Sequence, residues 1–187
     1  MLDTSQIKGD TLYPYIRNTD VQWREINVND LPEMDFDESD KIKFSLRKGD
    51  ILICEGGDVG RSAVWNGLLK ECYYQKALHR LRPYSTDVAL PEYFLYFLEY
   101  ANKNNIFIAG VEKATIYHLP ADKLRAFRFT SPSKKEQEII AMYLDRQMVI
   151  IDNLLTETES AISLLREHRS ALITNAVTGK INVEALV

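Results

Sequence analysis

The sequence predicts an α+β chain: a mixed, curved β-sheet domain with flanking helices over residues 1–132, then a long coiled-coil-forming helical region over 133–187. Three observations lead there. Short apolar runs rich in Ile, Val and Tyr, punctuated by Gly and Asn turns, fill much of the stretch up to Pro132. One stripe with helical spacing interrupts them: Tyr93, Phe94, Phe97, Leu98 and Ala101. Beyond Pro132, residues 133–177 contain neither Pro nor Gly and repeat apolar positions every three or four residues.

Taken in order, Leu12 to Ile16 is a tyrosine-rich strand, and Asp50 to Cys54 a buried strand entered by the turn at Lys48-Gly49. Arg61 to Trp65 is a third strand, stopped by Asn66-Gly67. Cys72 to Arg82 reads as one strand with Lys76, Leu78, Arg80 and Arg82 on a common face. Pro91 opens a helix where a missing N–H costs nothing, and the aromatic stripe packs that helix on the sheet. Leu124 to Thr130 is expected to close the domain as a strand, with Phe127 and Phe129 on one face and Arg128 on the other.

The second region begins with Ser133-Lys134-Lys135-Glu136, a capping box preceded by the helix-blocking Pro132. Leu144, Met148, Ile151, Leu155, Thr158, Ile162, Leu165, Arg169, Leu172 and Ala176 are spaced 4-3-4-3. Eight of those ten are apolar, which makes a heptad seam that needs a partner helix. The simplest partner is a second copy of the chain, through Leu144, Met148, Ile151, Leu155, Ile162, Leu165 and Leu172. Gly179 is the expected C-terminal cap.

Composition excludes several classes. With 45% hydrophobic and 27% charged residues the chain is globular. No signal-peptide pattern follows Met1, and the apolar run near Met148 to Ile151 is too short for a bilayer, so a soluble cytoplasmic protein is expected. Cys54 and Cys72 have no His or Cys neighbours at metal-ligand spacing and read as core residues. His79, His118 and His168 form no ligand pair, and Glu55 to Arg61 does not fit a dinucleotide fingerprint. Catalytic groups and a metal site are therefore not expected. The net charge of −4 conceals an asymmetry: residues 1–40 carry three basic and ten acidic side chains, whereas residues 41–82 carry nine basic and four acidic. The second segment supplies the local positive potential that a DNA-facing surface requires.

Several segments together resemble the DNA specificity subunits of type I restriction-modification systems. They are Tyr13 to Asn18, Gly49 to Ile53, Gly56 to Arg61, Tyr74 to Arg80 and Ala114 to Leu119. The most specific lie at the end: Pro132, Glu136-Gln137, Ile140-Ala141 and Leu144-Asp145, then Leu164-Leu165, Arg169, Ala171 to Ile173 and Ala176 to Ile181. The resemblance implies a half-size subunit, with one target-recognition domain and one spacer helix where such subunits usually carry two of each. Family members usually carry a further dozen or two residues before the segment matching Lys8 to Tyr15. The resemblance implies recognition of double-stranded DNA without catalysis. Modification subunits holding S-adenosylmethionine would methylate adenine, and a restriction subunit would cleave with ATP-driven translocation.

Among residues in or beside these segments, Arg17, Asn18, Arg61, Gln75 and Arg80 have side chains suited to base edges. Lys76, His79 and Lys113 are candidates for phosphate contact, and Thr115 and Tyr117 for base methyls or backbone. Two alternatives stay open at this level. One is a recognition-incompetent or interaction-only protein that works through its helix. The other is the C-terminal recognition fragment of a fused methyltransferase-nuclease.

Overall fold

In the computed structural model, which describes residues 9, 11–85, 87–108 and 118–183, the expected mixed sheet is divided into two three-stranded sheets. In chain order the elements are β1 (Leu12–Ile16), β2 (Glu33–Asp35), α1 (Glu38–Phe44), β3 (Ile51–Cys54) and β4 (Ser62–Val64). They continue with β5 (Tyr73–Tyr74), β6 (Leu78–Leu81), α2 (Pro91–Lys103), α3 (Ala121–Ala126) and α4 (Lys134–Val177), with 3-10 turns at Asn18–Asp20 and Ile106–Ile108. The first sheet has the order β2-β1-β5, antiparallel then parallel; the second has the order β4-β3-β6, antiparallel throughout.

β3 explains why the domain holds together. Its four residues are all buried because successive side chains enter different cores. Leu52 and Cys54 join Ile16, Phe36, Trp65, Tyr73 and Leu78 on one side. Ile51 and Ile53 join Phe94, Leu98 and Ala101 of α2, with Val59, Phe107 and Leu119, on the other. A continuous apolar run is what a strand covered on both faces demands. Gly60 completes the second core: its φ of +87° is left-handed, and a Cβ there would lie 2.6 Å from two ring carbons of Phe107.

Two expectations are corrected. The segment Leu124 to Thr130 is not a strand. Ala121–Ala126 forms α3 behind Pro120, and residues 127–130 follow it outside any ladder. Ala, Lys, Leu and Arg favour helix, and Asp122 at the start with Lys123 and Arg125 at the end complement its dipole. The period-2 aromatics are real, but they pack on α2 rather than in a sheet, with Phe129 stacked 4.7 Å from Phe97 and Phe127 5.8 Å from it. Likewise Cys72 to Arg82 is not one strand. A turn closed by Leu78 N–H donating to Gln75 O (2.9 Å) hands the chain from β5 in the first sheet to β6 in the second.

α4 runs for 44 residues, about 66 Å at the usual rise. The capping box is present: Ser133 N–H donates to Glu136 Oε2 at 2.9 Å and Glu136 N–H to Ser133 Oγ at 3.4 Å. The Ser133 hydroxyl, donating at 2.7 Å, and then its backbone N–H, both to Glu136 Oε2, hold that carboxyl below the usual range. At the other end Lys180 N–H donates to Asn175 O and Gly179 N–H to Ala176 O, with Gly179 at φ +71°, the paired closure of a Schellman motif. The chain divides into two compact units, Met1–Ala141 and Met142–Val187. The first unit therefore takes in the opening turns of α4, nine residues beyond the boundary expected at Pro132. The reason is Gln137, which is fully buried. Its Oε1 accepts from Leu90 N–H (2.9 Å), and its Nε2 donates to Pro132 O (2.9 Å) and Val88 O (3.1 Å).

Candidate nucleic-acid interface

The polar segments singled out in the sequence meet around Asn18. Its backbone N–H donates to Gln75 Oε1 (3.3 Å), and its Nδ2 lies 3.4 Å from both Gly56 O and Ala77 O. Arg61 Nη2 donates to Asn18 O (3.1 Å) and Asn18 Oδ1 (3.3 Å). The 3-10 turn, the glycine-rich loop 55–61 and the β5–β6 turn are thereby tied in one knot. Arg17 closes onto the buried Asp20 through two guanidinium bonds of 2.8 and 2.7 Å, which raises its already high pKa. The glycine-rich loop is also held from outside the knot: Trp23 Nε1 donates to Asp58 Oδ2 (2.9 Å), and Asn102 Nδ2 to Val59 O (2.7 Å).

Beside this knot lies a cleft of about 600 Å³ between the end of α1, the outer side of β6 and α3. Tyr74, Leu78, Leu81 and Leu124 give it apolar walls; Lys43, Lys76, His79, Arg80, Arg125 and Glu55 give it its charge and polarity. Arg80 is fixed there by Nη1 donating to Ser45 O at 2.6 Å and by its guanidinium 5.6 Å from the Tyr74 ring. His79 Nε2 bonds Leu119 O at 2.6 Å, which assigns the proton to that nitrogen. Lys43, Lys76 and Arg125 are exposed.

The structure thus gathers Asn18, Arg61 and Gln75 into the knot, and Lys76, His79 and Arg80 into the cleft. Arg17 is engaged with Asp20, and Arg61, Asn18, Arg80 and His79 all bond within the chain. Lys113, Thr115 and Tyr117 lie outside the described residues. Lys43 and Arg125 are the cleft residues that sequence reasoning missed. The basic balance of residues 41–82 pointed towards Lys43; nothing marked Arg125, which sits in the segment read as a strand.

Among the described residues, no group of His, Cys, Asp and Glu is arranged to hold a metal ion, and no helix is long and apolar enough to cross a membrane. Both cysteines are free and buried. Burial pushes the Cys72 thiol up to about 12 and the Cys54 thiol upward in the same way, so both are poor nucleophiles. Along α4, Leu144 and Met148 are half-buried, and Ile151, Leu155, Ile162, Leu165 and Leu172 are 43–67% exposed.

The family model for the type I restriction modification DNA specificity domain matches residues 1–162. A curated relative, the StySPI specificity subunit of a type I restriction enzyme from Salmonella potsdam, is 29% identical over 180 residues, covering 91% of this chain and 37% of that protein. A chain solved in work on complex assembly and conformational transition of the type I R-M system superposes with a TM-score of 0.70 at 22% identity, over 94% of this chain and 41% of that one. The HsdS subunit from Thermoanaerobacter tengcongensis gives 0.52 at 21% identity, over 82% and 34% respectively. At these identities the structural likeness is one of fold, and the chain spans between about a third and two-fifths of the length of these relatives.

Proposed function

Because the chain belongs to the type I restriction modification DNA specificity domain family, we propose that it is a non-catalytic recognition subunit that directs adenine methylation, and restriction, to a specific duplex sequence. The family match across residues 1–162 carries this reading, since it spans the two-sheet domain and enters α4. The knot supports it physically: polar loops held at fixed spacing on a packed sheet pair are a rigid platform for reading DNA. The chain itself brings no S-adenosylmethionine or ATP chemistry; both belong to the modification and restriction subunits that it recruits.

A second copy, joined along the exposed seam of α4 through Met148, Ile151, Leu155, Ile162, Leu165 and Leu172, supplies the second reader. The apolar side chains left uncovered on that helix support this. Identical readers face identical half-sites, so the target is an interrupted palindrome. The unpaired, buried cysteines agree with a reducing, cytoplasmic setting.

The test is methylated-base sequencing of cells that express the modification subunit with and without this chain. Adenine methylation at an interrupted palindrome, present only with the chain, is the expected result. An asymmetric motif would replace the homodimer by pairing with a different recognition domain. Absence of any motif would refute the recognition role.

A further inference from the structure

We propose that the cleft between α1, β6 and α3 seats the sugar–phosphate backbone of duplex DNA, with Lys43, Lys76 and Arg125 as its phosphate contacts; this rests on the recognition role proposed above. Four cations and one carboxylate line it in a chain of net charge −4. Those cations come from separate places in the sequence: the last turn of α1, the β5–β6 turn, β6 and the last turn of α3. Convergence of like charge from distant segments on one cleft raises the local positive potential and favours an anion there.

Several other basic residues of the domain are held in ion pairs, whereas Arg47, Lys48, Lys70, Lys123 and Arg128 are exposed but do not line the cleft. Arg17 is paired with Asp20, Arg24 with Glu99, Lys41 with Glu38 and Arg82 with Asp50. Among the described residues, Lys43, Lys76 and Arg125 form no ion pair, and all three are exposed. Their charges are therefore open to a ligand. The apolar walls from Tyr74, Leu78 and Leu81 are of low dielectric and focus the field of the cations beside them.

The chemistry favours phosphate over base edges. Lysine is a point charge with no bidentate geometry, so it anchors a backbone without reading sequence. Arg80, already bonded to Ser45 O, is a fixed cation on the cleft wall. The cleft adjoins the knot directly, because Leu119 N–H donates to Glu55 O (2.8 Å) and Glu55 N–H to Ala77 O (3.2 Å). A strand of DNA held in the cleft passes the loops gathered at Asn18.

The experiment uses the full chain assembled with its modification subunit. Binding of the methylated-motif duplex and of an unrelated duplex is titrated at several salt concentrations. The variant carries Lys43→Gln, Lys76→Gln and Arg125→Gln together. The expected result is a loss of at least about tenfold on both duplexes alike, with the slope of log K against log salt shallower by about 0.9 per contact removed. Lys76→Glu alone, at an exposed turn, should move affinity in the same direction, and an unchanged melting temperature separates this from unfolding. Unchanged affinity and slope, with wild-type complex still binding, would overturn the cleft and leave the recognition role standing. Loss of modification-subunit assembly with DNA binding intact would assign the cleft to an acidic protein surface and overturn the proposal. Wild-type complex that fails to bind duplex DNA would bring down both readings.

Discussion

Replacing Gln137 by leucine tests how the first turns of α4 are held on the sheet domain. The side chain is fully buried, and its amide serves Leu90 N–H, Pro132 O and Val88 O. Leucine keeps the volume, so the cavity contribution is small. What changes is the bonding: a donor and three acceptors, Ser131 Oγ (3.1 Å) among them, lose their partner. Each group left unsatisfied costs about 1–3 kcal/mol. Val88 and Ser131 are exposed, so water can reach their oxygens; Leu90 N–H and Pro132 O carry the cost, and the total is about 2–6 kcal/mol. Urea unfolding followed by tryptophan fluorescence isolates the effect, because Trp23 and Trp65 both lie in the first compact unit. A companion variant, Gln137→Glu, turns the same site into a pH probe. A carboxylate there still accepts from Leu90 N–H but faces two carbonyl oxygens, so burial and those acceptors raise its folded-state pKa above the unfolded value of about 4.3. Stability is then retained below about pH 4.3 and lost as pH rises through the folded-state value. A Gln137→Leu loss below about 0.5 kcal/mol, or a Gln137→Glu loss independent of pH, would refute the reasoning from unsatisfied groups.

Three further outcomes follow from the same geometry. Gly60→Ala combines a left-handed backbone with a Cβ 2.6 Å from the Phe107 ring, so it should cost about 2 kcal/mol or more in urea unfolding; a neutral substitution would show that Phe107 moves aside freely. Burial disfavours the Glu99 carboxylate, but bonds from Arg24 and Lys103 outweigh it and hold its pKa below the usual range. Its contribution is present above the unfolded value of about 4.3 and is lost as pH falls through the folded-state value, so Arg24→Ala should flatten the acid limb of a melting-temperature profile between about pH 5 and 3. Ile162→Asp with Leu165→Asp places two charges in the seam of α4 and should yield monomers by light scattering; a variant that stays dimeric removes the seam from the interface.

Much of this fold can be read from local pattern, and the exceptions have physical causes. β3, α2 and α4 are each specified by their own residues: a doubly covered apolar run, a Pro-initiated aromatic stripe, and a capped heptad. α3 was hidden because Phe127 and Phe129 alternate as strand residues do, yet they answer to the aromatic face of α2 and not to a ladder. The break between β5 and β6 was hidden because the turn at residues 75–77 contains no Gly or Pro; it is held by Gln75 N–H on Ile16 O and by Asn18 on Ala77 O, contacts across nearly sixty residues. The site divides in the same way. Residue chemistry brought Asn18, Arg61, Gln75, Lys76 and Arg80 to attention. Which of them bond inward, and that Lys43 and Arg125 share a cleft with Lys76, depends on tertiary placement alone.

An acidic chain in a DNA-reading family poses an electrostatic question that the placement of charges answers. Of the ten carboxylates in residues 1–40, several are used locally. Asp20 holds Arg17, Asp35 accepts from the Thr11 N–H, Asp37 caps α1 and Glu38 pairs with Lys41. Their charge is tied to caps and turns and so is a poor guide to what the domain meets. The basic excess of residues 41–82 is different in kind: Arg82 is bound to the buried Asp50, but Lys43 and Lys76 are left exposed on the cleft. On the proposed reading, affinity for duplex DNA depends on a few salt-sensitive cations, while sequence choice depends on loops whose positions the Asn18–Arg61–Gln75 knot fixes. Substitutions in the cleft should weaken all duplexes together. Substitutions in the knot should shift the loops and so change the preference among sequences before they change the salt slope.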